Sequence, residues 1–183
     1  MEKRVAIFLG TAFEELEAVT IIDVLRRGGI KVDMISIENT PTVTSARNIT
    51  MHTDILINDI KLEDYEMFIL PGGSGVNRIL ENEQVVEIFT KADQMDKLVG
   101  AICAGPQVLA KAIEREFNVT HFPGCDQFME NKKENMTVPF ITDKNITTGR
   151  SAGHSLDFSL EVLKILKGEE TAKNVREQFK ILN

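Results

Sequence analysis

The chain is a series of short apolar runs that end abruptly at glycine, proline or small residues. Arg4–Leu9 (RVAIFL) is β-rich and closes at Gly10. Glu14–Arg27 reads as a helix: acidic residues open it, where the positive end of the helix dipole favours them, and Gly28-Gly29 stop it. Ile30–Ile37 alternates loosely and predicts a strand, and Met67–Leu70 (MFIL), closed by Pro71-Gly72-Gly73, predicts a fully buried one. Glu83–Gln94 is helical, Leu98–Ile102 is a further apolar run, and a helix follows it from Pro106 to Glu114. Val119–Phe122 and Ile146–Thr148 are further short strand candidates. Leu156–Lys167 carries apolar residues at 156, 160, 163 and 166, a helical stripe, and a last helix runs from about Glu170 to Lys180. Between the second and third strands, Val43–Ile57 has apolar residues but no helical period, and reads as an extended excursion with antiparallel pairing as one option.

Strand and helix in alternation, with near-continuous apolar strands, predict a parallel sheet covered on both faces. Neither a linker nor an internal repeat interrupts residues 1–183, so the expected architecture is one doubly wound α/β domain. A chain of 183 residues can bury a core without metal or disulfide support, and 43% hydrophobic content suits that. The net charge of −7 comes with no basic stripe and disfavours a nucleic-acid backbone as main partner. The apolar start, Val5 to Leu9, is shorter than a signal-peptide core, and no run reaches membrane-span length. Two cysteines are too few for a disulfide framework. These features predict a soluble, cytoplasmic protein of a reducing compartment.

In such sheets ligands sit beyond the carboxyl ends of the strands. Three segments should meet there: Gly10–Phe13, Pro71–Gly75 and Cys103–Pro106. Cys103 falls where a strand turns sharply into a helix opened by Pro106, the arrangement of a nucleophile elbow. A helix N-terminus favours the thiolate, the reactive form, although free cysteine is also often simply packed. PGGSG lacks the lysine of a phosphate loop and is an ordinary turn on its own. Beside a thiol, its Gly73 N–H and that of Ala104 could form an oxyanion site. Glu14 and Glu15 read as solvated acids at a helix start. Glu17 shares a face with Ile21, Val24 and Gly28, where an acid needs a partner or a proton.

These residues resemble the ThiJ/PfpI superfamily, and within it the DJ-one-like branch of the Parkinsonism-linked protein deglycase. The matching pieces are EELEA (14–18), DVLRRGGIKV (23–32), SARNI (45–49), FILPGG (68–73), AICAGP (101–106), FPG (122–124) and TTGRSAG…DFSLEVL (147–163), in order and at the family's spacing. The resemblance implies a flavodoxin-like α/β/α sandwich and a homodimer. It implies that Cys103 is the reactive thiol, that protonated Glu17 hydrogen-bonds it, and that the backbone around Gly73 and Ala104 forms the oxyanion site. Gly72, Arg47, Arg27 and His121 match or adjoin positions near the pocket or dimer interface in relatives; for the arginines, plain surface charge is the competing reading. Many relatives carry a histidine directly before the proline of FPG. Here Phe122 stands there and His121 is one residue earlier, so in a strand it would face the opposite side. His154 reads as a surface or capping residue, His52 carries no motif, and Cys125 is an oxidisable thiol that matches no family nucleophile.

Two functions follow from the resemblance. In the first, the Cys103 thiolate adds to a small reactive aldehyde such as methylglyoxal, or to a glycation adduct, with Glu17 as general acid and base and no cofactor or metal: glyoxalase III or deglycase chemistry. In the second, the protein is an oxidative-stress sensor or chaperone-like protectant in which Cys103 is oxidised to sulfinate. A peptidase would need a partner histidine, and a glutamine amidotransferase a downstream His-x-Glu pair that is missing from the sequence. A thiazole site has no support in the residues.

Overall fold

A computed structural model describes residues 3–180. The strands are β1 (Arg4–Leu9), β2 (Lys31–Ser36), β3 (Thr42–Thr44), β4 (Thr50–His52), β5 (Ile55–Leu56), β6 (Met67–Leu70), β7 (Leu98–Ile102), β8 (Asn118–Val119), β9 (Lys133–Glu134), β10 (Phe140–Asp143) and β11 (Ile146–Gly149). The helices are α1 (Glu15–Arg27), α2 (Val76–Glu81), α3 (Glu83–Gln94), α4 (Pro106–Ala112), α5 (Ser155–Lys167) and α6 (Glu169–Gln178). Seven strands form one sheet in the order β10-β11-β7-β6-β1-β2-β5. All neighbours are parallel except β10 and β11. This is an α/β flavodoxin-like fold.

The apolar runs are continuous because both faces of each central strand are covered. Val5, Ile7 and Leu9 of β1, with Met67 and Ile69 of β6, pack under α1, α5 and α6 against Ile21, Leu25, Phe158, Leu163 and Val175. Ala6 and Phe8, with Phe68 and Leu70, face the other way against α2, α3 and α4, through Ile79, Phe89 and Val108. Phe8 lies between Phe68 and Phe89, with ring centroids 6.3 and 5.4 Å away. Burying each such ring contributes roughly 2–3 kcal/mol. Among the described residues, no helix is long and apolar enough to cross a membrane.

The predicted excursion resolves into two pieces. Strands β3 and β4 form an antiparallel hairpin outside the main sheet, and β5 returns to pair with the edge of β2. The segment expected as a strand at Val119–Phe122 pairs only at Asn118–Val119, with β9, and never joins the main sheet. The predicted helix to Glu114 stops at Ala112, because Ile113 turns to an extended backbone (φ −114°, ψ 105°).

Candidate active site

The first, third and fourth of the parallel strands expected from the sequence, β1, β6 and β7, release their chains at the same sheet edge, and the three loops interlock. Glu14 N–H donates to the Gly72 carbonyl (2.9 Å), and Gly75 N–H donates to the Ala12 carbonyl (3.2 Å). The β3–β4 hairpin folds over them, with Ala46 N–H donating to the Phe13 carbonyl at 2.8 Å. A cavity of about 550 Å³ opens here, lined by Glu14, Glu17, Ala46, Arg47, Gly73, Ser74 and, from the Cys103 side, by Cys103, Ala104, Phe122, Cys125 and Ser151–Gly153.

Cys103 directly follows β7 and has φ 63°, a left-handed conformation rarely adopted outside glycine. Such a conformation costs about 1–3 kcal/mol and persists only where the surroundings impose it. Here they do: Cys103 N–H donates to Gly149 at the end of β11 (2.9 Å), and its carbonyl accepts from Phe122 N–H (2.8 Å). Gly72 presses against the elbow from β6. A Cβ on it would meet Ala104 N at 2.7 Å and Cys103 Cβ at 2.8 Å, so a side chain at 72 is sterically barred. Among the described residues, neither Gly73 N–H nor Ala104 N–H donates to a backbone carbonyl. That of Ala104 favours the ionised form of the Cys103 thiol.

Glu17 is fully buried on the inner face of α1 with Ile21 and Val24. Its Oε2 accepts from Gly72 N–H at 2.7 Å, while Oε1 is buried with no partner among the described residues. Burial raises the carboxyl to about pH 7; the Gly72 N–H and the Cys103 thiol pull it back, and the charge of Glu14 adds to the rise. The thiol lies against this carboxyl, and each group perturbs the other, but no hydrogen bond of good geometry joins them. Burial also pushes the thiol up, reinforced by the charge of Glu17 and only partly offset by Ala104 N–H. The sequence-based expectation of a thiolate favoured by a helix terminus is thus reversed for the thiol alone: α4 has only seven residues, and desolvation outweighs its end. Of the two groups, the Glu17 carboxyl is the one that gives up its proton near pH 7, and its charge then adds to what holds the thiol protonated.

The other candidates divide. Arg47 lines the cavity from the exposed hairpin turn. Arg27 does not: it sits at the far end of α1, paired with Asp23 (2.8 Å) and stacked over Phe179 at 5.0 Å. His121 is buried but is not a lining residue. Its Nε2 meets Glu134 Oε2 at 2.7 Å and its Nδ1 the Phe122 carbonyl at 2.9 Å, so both ring nitrogens are engaged away from the thiol. Residues 120–122 are not a strand, so strand alternation does not account for where His121 lies. Phe122 is the residue that forms pocket wall. His154 caps nothing by its side chain; its Nδ1 lies 2.9 Å from Ser151 Oγ. Glu14, expected to be merely solvated, lines the cavity, as do Ser74 and Ser151–Gly153. The first was hidden by its ordinary place at a helix start, and the last by having no periodicity or reactive side chain.

The family model described as the DJ-1/PfpI family matches residues 3–165. The chain belongs to the DJ-1/PfpI family. It is 32% identical to the Parkinson disease protein 7 homolog of Danio rerio, over 95% of each chain. It is 28% identical to the glutathione-independent glyoxalase DJR-1.2 of Caenorhabditis elegans, over 88% of this chain and 87% of that one. It matches 36% of the length of protein DJ-1 homolog B of Arabidopsis thaliana, at 30% identity. Among solved structures of the family, Drosophila melanogaster DJ-1beta superposes with a TM-score of 0.94, at 27% identity and full coverage of both chains.

Proposed function

We propose that this chain is a cysteine-dependent enzyme acting on reactive carbonyls, with Cys103 as nucleophile and Glu17 as proton shuttle. The observation that carries the reading is the buried Glu17 carboxyl, with one oxygen unpartnered, against a thiol held on a strained elbow in a cavity. The glyoxalase name of the Caenorhabditis elegans relative points to the same chemistry. In the pair's reactive tautomer the sulfur is ionised and Glu17 holds the proton. The thiolate adds to the aldehyde carbon of methylglyoxal, and the displaced electron pair settles on an oxygen facing Gly73 N–H and Ala104 N–H, which takes the Glu17 proton. Glu17 then moves the proton from the former aldehyde carbon to the ketone side through an enediol, leaving a thioester on Cys103. Water cleaves that thioester and restores the thiol. The balance is methylglyoxal plus water to lactic acid, drawn from protein groups and water alone. Glycation adducts would enter by the same addition, and Arg47 at the cavity would meet an anionic or carbonyl oxygen of the substrate.

Lactate formation from methylglyoxal tests this. Cys103→Ser should abolish it, and Glu17→Gln should lower it by about 10²-fold or more, the range typical of a general acid–base. Turnover that survives Cys103→Ser would refute the assignment. A second reading, an oxidative-stress sensor or protective protein, is favoured by the half-exposed Cys103 thiol beside an acid able to donate to a sulfinate oxygen. Absent turnover with clean oxidation at Cys103 would select it.

Exposed Leu16, Val19 and Ile49, at 54, 49 and 50% exposure, support a homodimer. Leu16 and Val19 are one turn apart on α1, and Ile49 is on the hairpin tied to the start of that helix. Two free thiols suit a reducing compartment such as the cytoplasm.

A further inference from the structure

The sequence contains two cysteines, and both line the same cavity, 22 positions apart in the chain. Both are free and half-buried. Cys125 closes a tight turn that begins at Phe122: Cys125 N–H donates to the Phe122 carbonyl at 2.9 Å, and Phe122 N–H donates in turn to the Cys103 carbonyl at 2.8 Å. The turn is therefore hung directly on the backbone of the nucleophile. Charge on Cys125 adds, as the smallest contribution, to what pushes the Cys103 thiol up. Phe122, Pro123 and Gly124 are exposed, and Gly124 (φ 84°) has no atom within 4 Å of where a Cβ would lie. The carrier of Cys125 thus has open space, whereas Cys103 is fixed by β7, β11 and Gly72. A fixed nucleophile and a second thiol thus line one cavity, the second on a turn with open space around Gly124, and a disulfide between them would need a Cα separation of roughly 4.4–6.8 Å.

We propose that Cys125 is a resolving thiol for Cys103, making this cavity a hydroperoxide-reactive dithiol site. The Cys103 thiolate attacks the distal oxygen of a hydroperoxide, the O–O bond breaks, and the leaving alkoxide or hydroxide takes a proton to depart as alcohol or water. Cys103 becomes a sulfenic acid, oxidised by two electrons. Cys125 sulfur then attacks the Cys103 sulfur; the S–OH bond breaks, water leaves with the Cys125 proton, and a Cys103–Cys125 disulfide forms. A small dithiol or a protein dithiol reductant returns both thiols by exchange. The disulfide diverts the sulfenic acid from further oxidation to sulfinate. Condensation with Cys125 needs neither carbonyl turnover nor a carbonyl substrate; it rests on the proposed reading only in requiring a reactive Cys103.

The test is a small excess of hydrogen peroxide, at least about two equivalents per Cys103 so that sulfinate can form, on the reduced, purified protein, read by non-reducing intact mass and peptide mapping. The expected product has lost two hydrogens, contains a Cys103–Cys125 cross-linked peptide at monomer mass, and returns to the dithiol on adding dithiothreitol. Cys125→Ser should instead accumulate Cys103 carrying two oxygens, at several times the wild-type yield. Wild-type protein that goes to Cys103 sulfinate with Cys125 still alkylatable would overturn the resolving role while leaving the nucleophile intact. Cys103 inert to both peroxide and iodoacetamide would overturn the nucleophile itself, and the resolving role with it.

Discussion

Glu17 links the chemistry of the cavity to the stability of the fold. An unfolded glutamate ionises near the ordinary value of about 4.3, whereas the buried carboxyl holds its proton to about pH 7. Between these values the folded chain binds more protons than the unfolded one, so stability falls as pH rises through that window. The full effect is on the order of 3 kcal/mol by neutral pH, from one pKa unit being worth about 1.4 kcal/mol. Urea unfolding of wild type against Glu17→Gln should therefore diverge with pH: the variant gains relative to wild type between about pH 4.5 and 7, and the gap levels off above. Parallel pH profiles would show that Glu17 does not carry this proton. The sequence made Glu17 legible because an acid falls among Ile21 and Val24 on an apolar helix face. It left the thiol's direction of shift illegible, since that depends on how dry the site is, which no local pattern records.

At the level of elements, what was legible followed from periodicity and what was not followed from pairing at a distance. β1, β6 and β7 are apolar throughout because helices cover both faces, and such runs are plain in a single sequence. β10 is a half-buried strand at the sheet edge, paired antiparallel through Ile141–Thr148 and Thr142–Thr147, and its FITD stretch has no buried run to betray it. α2 is six residues long, with only Val76, Ile79 and Leu80 buried, too short for a period to show. The segment from 118 to 134 departs furthest from expectation. Its strand content is two residues on each side, and besides the backbone bond from Phe122 to Cys103 it is held by side chains: His121 on Glu134, and Lys132 Nζ on the Ile113 and Arg115 carbonyls beyond the end of α4. Such long-range ties place Phe122 and Cys125 at the cavity, and they could be found only with the chain folded.

For the whole molecule, the sheet edge where β1, β6, β7 and β11 end brings the candidate site together from segments spread between Glu14 and Gly153. The α1 and hairpin surface that would bury Leu16, Val19 and Ile49 adjoins this edge, and Arg47 of the same hairpin lines the cavity. A second copy seated there would border the pocket. Leu16→Glu combined with Val19→Glu should convert a dimer to a monomer in sedimentation velocity; a wild-type chain that is monomeric at micromolar concentration would refute the dimer.

The proposed chemistry requires that Glu17 controls the ionisation of Cys103. The most direct measurement is the rate of iodoacetamide alkylation of Cys103 against pH, site-mapped, in wild type and Glu17→Gln. Wild-type reactivity should rise through about pH 7, where Glu17 ionises and can accept the thiol's proton, and this step should move when Glu17 is replaced. A Cys103 that stays inert, or that titrates near the free-thiol value of about 8.5 identically in both proteins, would contradict it.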